Sequence, residues 1–570
     1  MNVSSLPRSY AATQPNTLAL VDKKTGRSLT FEQLRDELDA TAAALRHAGL
    51  NPGDRAALFV ATGIEFVVLV NACFQAGVVP VLIDPGMGAK NVLSCVREQR
   101  PVGLIGVFKA HVLRAVFRGA FASVRIQVLV GGGFFPGAKS LEKLKRVRPL
   151  PDPSSPRGAS SPFPLGERET RDEVAAVLYT SGSTGAPKGV LYTHGMLAGQ
   201  ATAIRDMFHI QPGEVDVACF LPFGLFSVAM GMTAVFPDMD FRFPAKAKPQ
   251  NVLAAMQGAT SAFASPALWE PFSRYLAEHK LELKGVKRIL TAGAPVRPQL
   301  HERLLAHLPD GDVFTPYGAT EALPVAFMNG RAVLAETAAR TREGKGTCVG
   351  ALAPDVAVKI IAITDEAIPT LSAARELPVG EVGEIIVRGP CVTRAYDDTH
   401  SERAKDANAK AKIADPSAPE GFWHRMGDCG YFDAQGRLWF CGRKAHRVET
   451  THGTLHSIPV EAVAEEGRFP RAAFVGVGPR GQQRGVVIFE VTGGTPRLAP
   501  DWEATTLADL RARVGNEGLH SALLHFGPLP VDRRHNAKLE REALAVWAEK
   551  KLGPVSPSPR GGEGRGEGKS

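Results

Sequence analysis

Cysteine is sparse in this 570-residue chain, and what there is does not pair. The seven cysteines (Cys73, Cys95, Cys219, Cys348, Cys391, Cys429 and Cys441) are scattered without a C-x-x-C pair. That excludes a disulfide-framed secreted scaffold and a zinc ribbon, and it predicts reduced thiols in a cytosolic protein. An uninterrupted apolar run is also lacking. The most apolar window, 63–83, is long enough to span a bilayer, but Glu65, Asn71, Gln75, two glycines and Pro80 break it. The window is therefore expected to be a buried helix followed by a buried parallel strand, not a membrane span. No basic start leads into an apolar segment at the beginning of the chain, so no secretory signal is expected. Basic residues are not interleaved with aromatic ones and no nucleic-acid motif occurs, so nucleic acid is not an expected partner. No internal repeat is visible.

The remaining composition is that of a soluble globular protein, with 44% hydrophobic and 22% charged residues. The length implies several domains and a core that needs neither disulfide nor metal to fold. The net charge is +9, and residues 97–148 alone hold eleven Arg or Lys against two Glu. Such a region reads as a solvated basic face, or as a dock for an acidic partner or an anionic membrane surface.

Residues 30–49 form a helix signal: Phe31, Leu34, Leu38 and Leu45 share one face, Thr30 with Gln33 makes a capping box, and Gly49 ends it. The order helix, strand, helix, strand through residue 83 predicts an α/β sheet covered on both faces. Further strands are expected at 174–180, 287–293, 356–363, 380–389 and 436–444. Residues 149–171 are rich in Pro and Ser and read as a linker, and 400–420 reads as a polar, exposed insertion. The tail from Val555 is low in complexity and is expected to be disordered.

The strand at 174–180 runs into "YTSGSTGAPKGV" (179–190). This is not a Walker A loop: counting from Gly182, Pro187 stands where a glycine is required, and Gly189 follows Lys188 where Ser or Thr is required. It is not a dinucleotide fingerprint either, because no G-x-G precedes Gly182 and Gly185. Its chemistry still suits an anion. Glycine frees backbone N–H groups, the hydroxyls of Thr180, Ser181, Ser183 and Thr184 add donors, and Lys188 supplies a point charge.

The same stretch closely resembles the signature loop of the adenylate-forming superfamily, and further motifs follow in that family's order over roughly residues 12–550. The resemblance implies a large N-terminal domain (1–443) of stacked α/β sheets with a β-barrel-like subdomain, and a small mobile α+β domain (444–552) before the disordered tail (553–570). It implies that the loop Thr180–Gly185 with Lys188 holds the β- and γ-phosphates of ATP. In "TAGAPV", Gly293, Ala294 and Pro295 would line the purine. In "YGATE", Tyr317 would stack on adenine beside Gly318 and Ala319, Thr320 would bond the α-phosphate, and Glu321 would hold Mg²⁺. Asp428 of "WHRMGD" would accept the ribose hydroxyls, Arg443 would lie near the ribose, and Lys538 would reach the substrate carboxylate and α-phosphate. Each role suits its chemistry, because attack on the α-phosphorus gathers negative charge that cations must stabilise, and a carboxylate accepts from both hydroxyls of a diol.

Several segments depart from acyl-CoA synthetases. Ala445 stands at the hinge position where Asp or Lys is usual, the stretch 446–461 is longer than usual, "PVDRRHNAK" replaces the usual sequence before the lysine, and "LPFGLFSVAMG" (221–231) lacks the usual histidine. Three segments, "PVDRRHNAK" (530–538), "FPDMDFRFPAK" (236–246) and "GRKAHRVET" (442–450), resemble the β-lactone synthetases of bacterial olefin biosynthesis. That resemblance implies adenylation of a long-chain 2-alkyl-3-hydroxy fatty acid, then closure by its own 3-hydroxyl without CoA. Phe223, Leu225, Phe226, Met230 and Met232 are expected to line the acyl pocket, and His194 is the candidate base. Implied partners are a β-lactone decarboxylase and a 3-keto acid reductase, in a cytoplasmic, membrane-associated assembly. A fatty acyl-CoA or acyl-carrier ligase and an adenylate-binding scaffold without turnover remain alternatives.

Overall fold

The computed structural model describes residues 2–147, 172–180, 186–469, 471–494, 496–531 and 538–553. The linker 149–171, the tail from Val555 and the loop residues Ser181–Gly185 lie outside the described residues. Two compact units emerge. The larger holds residues up to Ala339, Thr347–Phe440 and Lys538; the smaller holds Arg340–Gly346, Cys441–Val531 and the residues from Leu539.

In the larger unit, a seven-stranded sheet orders as Lys139–Ser140, Ile126–Leu129, Gly103–Gly106, Arg55–Phe59, Val79–Leu82, Val174–Thr180 and Lys188–Thr193. All neighbours are parallel except the last pair. The helix Phe31–Ala48 covers this sheet for the reason its sequence gives. Thr30 and Gln33 exchange side-chain-to-backbone bonds, Gly49 takes φ 106°, and Phe31, Leu34, Leu38 and Leu45 are buried. Each such side chain contributes about 1.5–3 kcal/mol of transfer free energy. The apolar window resolves as expected into the helix Ile64–Ala76 and the strand Val79–Leu82. Among the described residues no helix is long and apolar enough to cross a membrane.

A second, fourteen-stranded sheet holds a run of parallel strands that includes Val215–Ala218, Ser261–Ala264, Arg288–Thr291 and Asp312–Ala319. It continues antiparallel through Ala322–Asn329 and Thr347–Leu352 to Phe422–Phe432 and Gly383–Arg388. The expected α/β layering is present, and the antiparallel strands extend the large sheet in one hydrogen-bonded path.

The segment 400–420 corrects the expectation of an exposed insertion. It forms the helix Glu402–Ala411 and the strand Lys412–Ala414, which pairs with Phe422–Phe432. Ala404 and Ala407 enter the main core, and Ile413 is fully buried. Arg425 pins the segment down by donating to the carbonyls of Lys410 (3.1 Å), Glu366 (2.6 Å) and Thr364 (2.5 Å), and it pairs with the buried Glu384 at 2.6 Å.

The smaller unit is α+β. Strands Ala472–Val477, Arg484–Val491 and Leu519–Phe526 make its sheet, with helices Ser457–Glu465, Trp502–Val514 and Arg541–Leu552. Buried Glu461 accepts from Arg541 at 2.7 and 2.8 Å and from the Phe474 N–H at 2.8 Å, tying helix, strand and C-terminal helix together.

Candidate active site

The "YGATE" residues occupy the turn of a hairpin. Asp312–Ala319 and Ala322–Asn329 are antiparallel, with Ala319 opposite Ala322, so Thr320 and Glu321 alone form the turn. The register shifts at Gly318, and any Cβ there would sit 2.5 Å from the Ala322 carbonyl oxygen. Glycine is therefore a steric requirement of a hairpin that presents Thr320 and Glu321 at its tip.

Two neighbouring segments hold the tip. The Tyr192 hydroxyl donates to the Thr320 carbonyl at 2.5 Å. The Thr393 N–H donates to the Glu321 carbonyl at 2.7 Å, and Ala322 bridges Val392. Residues 391–397 then run along the strand Lys188–Thr193, with Tyr396 bridging Val190 and the Asp397 N–H donating to the Gly189 carbonyl at 2.7 Å. Asp397 anchors this run. It accepts from Arg55 at 2.6 and 3.1 Å, from Gln99 at 2.6 Å and from Thr399 at 2.7 Å. Burial opposes its charge, but the Thr399 hydroxyl and the Arg55 guanidinium outweigh it and hold the carboxyl below its ordinary range.

Around the Glu321 carboxylate the structure gathers donors and cations. The buried Tyr396 hydroxyl donates to Glu321 Oε1 at 3.0 Å. Asn408 fixes Tyr396 by accepting its N–H at 2.7 Å and donating to its carbonyl at 2.9 Å. Lys188 Nζ lies 4.9 Å from the centre of the Tyr396 ring, a cation–π distance. Lys412 donates to the Thr393 carbonyl and lies 4.6 Å over the Phe422 ring. Burial lowers the pKa of both ammonium groups, that of Lys412 to about 7, while the Glu321 charge opposes the shift in each. His424 is buried, its ring 6.4 Å from that of Tyr396. Burial, with the charges of Lys412 and Lys188, drives it well below 6.5, so it is neutral.

Of the other residues expected on the nucleotide side, Tyr317 donates through its hydroxyl to Asp428 Oδ2 at 2.7 Å, and Asp428 is buried in the strand Phe422–Phe432. The Tyr317 ring lies 5.8 Å from that of Phe440. Gly293 takes φ 98° just past the strand Arg288–Thr291, with Ala294 and Pro295 following in an open bend. Lys188 opens its strand opposite Thr180, so the loop between them is the link of an antiparallel pair. Thr180 ends the preceding strand, its side chain outside the described residues as are Ser181, Gly182, Ser183, Thr184 and Gly185.

In the smaller unit, Arg443 ends the strand Leu438–Arg443 and Ala445 is exposed in the turn Lys444–His446. The stretch 446–461 is ordered as a hairpin, Val448–Thr450 with Gly453–Leu455, leading into the helix Ser457–Glu465. Lys538, which groups with the larger unit, is partly buried and follows directly on 532–537, which lie outside the described residues.

Of the expected acyl residues, Phe223, Met230 and Met232 are buried in the cluster against which Phe226, Tyr317 and Ala319 pack, and Phe223 stacks on Phe263 at 4.3 Å. Leu225 packs on a different cluster, with the core of the seven-stranded sheet. His194 is placed otherwise than its proposed role requires. Its Nδ1 accepts the Val3 N–H at 3.3 Å, its ring meets Phe74 edge-on at 5.7 Å, and burial pushes it down to about 4. A neutral, weakly basic ring with Nδ1 engaged is a structural histidine, and this placement does not support a general base there.

Among the described residues no three His, Cys, Asp or Glu side chains cluster as a metal-ligand set. Glu321 offers one carboxylate, with Lys188 and Lys412 as cationic neighbours. One carboxylate suffices for Mg²⁺ of the kind carried in with a nucleotide, which completes its shell from phosphate and water.

Sequence reasoning missed Tyr396, Asn408 and Lys412. Their spacing from Glu321 carries no local signal, and the polar look of 400–412 concealed the buried Ala404, Ala407 and Ile413.

Comparison with known proteins gives the family. The AMP-binding enzyme family matches residues 8–397. An olefin beta-lactone synthetase from Xanthomonas campestris pv. campestris is 43% identical over 526 residues, covering 91% of each chain. Another from Stenotrophomonas maltophilia is 42% identical over 529 residues, covering 92% of each. The fold is also that of the ATP-bound MatB from Rhodopseudomonas palustris, with a TM-score of 0.72, 20% identity, and coverage of 97% of this chain and 100% of that one. The chain belongs to the AMP-binding enzyme family and, within it, to the olefin β-lactone synthetases.

Proposed function

We propose that the protein activates a long-chain 2-alkyl-3-hydroxy fatty acid with ATP and closes it to a β-lactone. The observation that carries this reading is identity above 40% with two olefin beta-lactone synthetases over nine-tenths of each chain. The hairpin tip and its surrounding cations supply a physical basis for the first step.

In that step a carboxylate oxygen attacks the α-phosphorus and pyrophosphate leaves, giving the acyl-AMP. Lys188 and the loop before it bind the β- and γ-phosphates, and the Thr320 hydroxyl bonds the α-phosphate. Glu321, oriented by Tyr396, would hold Mg²⁺, which would neutralise charge at the phosphates. Asp428 accepts the ribose hydroxyls, near which the motif resemblance puts Arg443, while Tyr317, Gly318, Ala319 and the bend Gly293–Pro295 contact the purine. Lys538 reaches the carboxylate by the resemblance of its motif. In the second step the substrate's 3-hydroxyl oxygen attacks the acyl carbon, the bond from that carbon to the phosphate oxygen breaks, and the hydroxyl proton leaves with the departing AMP phosphate or to solvent. The nucleophile is already tethered, and holding its geometry is worth effective molarities up to about 10⁵–10⁸ M. Phe223 and Phe226, on the same apolar cluster as Tyr317 and Ala319, would pack the alkyl chain.

The exposed alanine at 445, where a charged residue is usual, supports a route without the thioester step. Incubating the protein with ATP, Mg²⁺ and a 2-alkyl-3-hydroxy acid, with and without CoA, tests the reading by product. A fatty acid lacking the 3-hydroxyl should be adenylated without forming a lactone. Its turnover to a thioester would favour a ligase instead.

A further inference from the structure

The basic region 97–148 is not used by the reaction, and the structure gives it a particular surface. Residues 100–141 contain six Arg or Lys and no Asp or Glu. Within them lies the helix Phe108–Val116. Ala110 and His111 face inward, while Phe108, Val112 and Val116 are exposed at four-residue spacing. They form one stripe on the solvent side, about 12 Å long at 1.5 Å per residue. Phe117, next in the chain, is exposed too.

A loop lengthens the stripe. Phe135 packs against Phe108 and His111, with ring centres 5.6 and 5.4 Å apart, so it anchors the end of the loop 131–135 on this helix. Its neighbour Phe134 is 77% exposed. A Cβ added at Gly131, Gly132 or Gly133 would meet nothing within 4 Å, so the loop projects into open space. Five of the eleven exposed large apolar side chains among the described residues therefore fall within 108–134. Lys109, Arg114 and Arg118 stand among them.

We propose that the helix Phe108–Val116, the turn Phe117–Arg118 and the loop 131–135 form a docking face for an anionic lipid bilayer. The apolar stripe and Phe134 enter the boundary between headgroups and acyl chains, and Lys109, Arg114 and Arg118 meet lipid phosphates. Three features favour a bilayer over an acidic protein. The loop projects; the apolar members of the face include three phenylalanines, a residue type found on the buried face of interfacial helices; and its cations lie beside the apolar stripe. This inference stands on surface chemistry and is independent of the reaction proposed above.

The test is flotation of the full-length protein with vesicles of phosphatidylcholine alone or mixed with phosphatidylglycerol. Binding is expected to the mixed vesicles only and to weaken as salt is raised. Each surface basic residue near an anionic bilayer strengthens binding about fivefold, so Lys109→Glu with Arg118→Glu should weaken it at least about 25-fold. Phe117→Ser with Phe134→Ser should weaken it as well, while Lys284→Glu, outside the face, should not. Both double variants should keep the wild-type rate of ATP–pyrophosphate exchange on a detergent-dispersed substrate, which shows them folded. Equal binding to neutral vesicles, wild-type binding by either double variant, or no vesicle binding alongside capture of an acidic protein would overturn the proposal.

Discussion

Tyr396→Phe isolates one bond at the hairpin tip. The substitution keeps the ring beneath Lys188, and it keeps the backbone clamp from Asn408, since both bonds of that clamp go to main-chain atoms. It removes only the hydroxyl that donates to Glu321 Oε1 at 3.0 Å. A hydrogen bond to a charged acceptor is worth about 1.5–3 kcal/mol, and more is lost where the carboxylate is left without other partners. Glu321 still faces Lys188 and Lys412, so the lower end applies. About 1.5 kcal/mol corresponds to a loss of roughly tenfold in the rate of adenylation if Glu321 must be oriented in the transition state. The assay is ATP–pyrophosphate exchange across a Mg²⁺ titration, with thermal unfolding as a control. Tyr192→Phe, which frees the Thr320 carbonyl, should also slow exchange but leave the Mg²⁺ dependence closer to wild type. A Tyr396→Phe protein with full exchange activity and an unchanged Mg²⁺ dependence would refute the reasoning, because Glu321 would then not rely on Tyr396.

Three further outcomes are expected. Asp428→Asn leaves one oxygen acceptor where a diol needs two and disturbs the bond from Tyr317, so KM for ATP should rise about 10- to 100-fold while the fold is retained, measured by exchange kinetics. Arg425→Met strands Glu384, which is fully buried, and releases the Lys410 carbonyl; loss of one partner of such a pair costs about 3–5 kcal/mol, read as a lower unfolding midpoint. Asp216 is fully buried; burial pushes its carboxyl up to about 6, partly offset by the Ser227 hydroxyl at 2.8 Å. Its folded-state pKa lies above its unfolded value, so stability from this group is fully present below about pH 3.8 and is lost as pH rises through about 6. Asp216→Asn should therefore gain little over wild type near about pH 4 and up to about 3 kcal/mol near about pH 7, seen as diverging unfolding midpoints.

The parts of the fold read correctly from sequence are those where a local pattern and the tertiary contact agree. Phe31, Leu34, Leu38 and Leu45 repeat at helical spacing because one face of that helix is buried, and Thr30 and Gln33 cap it with local bonds. The break in 63–83 was visible because Gly77 punctuates it, and the structure puts that glycine at φ 72°. The "YGATE" hairpin tip was legible as one unit because it is contiguous and steric necessity fixes Gly318. Burial of charge was not legible. Lys412 and Arg425 look like surface residues in sequence, yet they are held inside by carbonyls and aromatic rings from segments that lie elsewhere in the chain. His194 shows the converse. Its position after the phosphate loop suggested chemistry, whereas Val3, nearly the whole N-terminal half of the larger unit away in sequence, occupies it.

Product identity without CoA tests the central claim most directly. Purified protein is supplied with ATP, Mg²⁺ and a 2-alkyl-3-hydroxy fatty acid, and the products are followed by NMR and by AMP release. The account predicts a β-lactone together with AMP and pyrophosphate in the absence of CoA, and no thioester when CoA is added. A requirement for CoA, with an acyl-CoA thioester as the product, would contradict it.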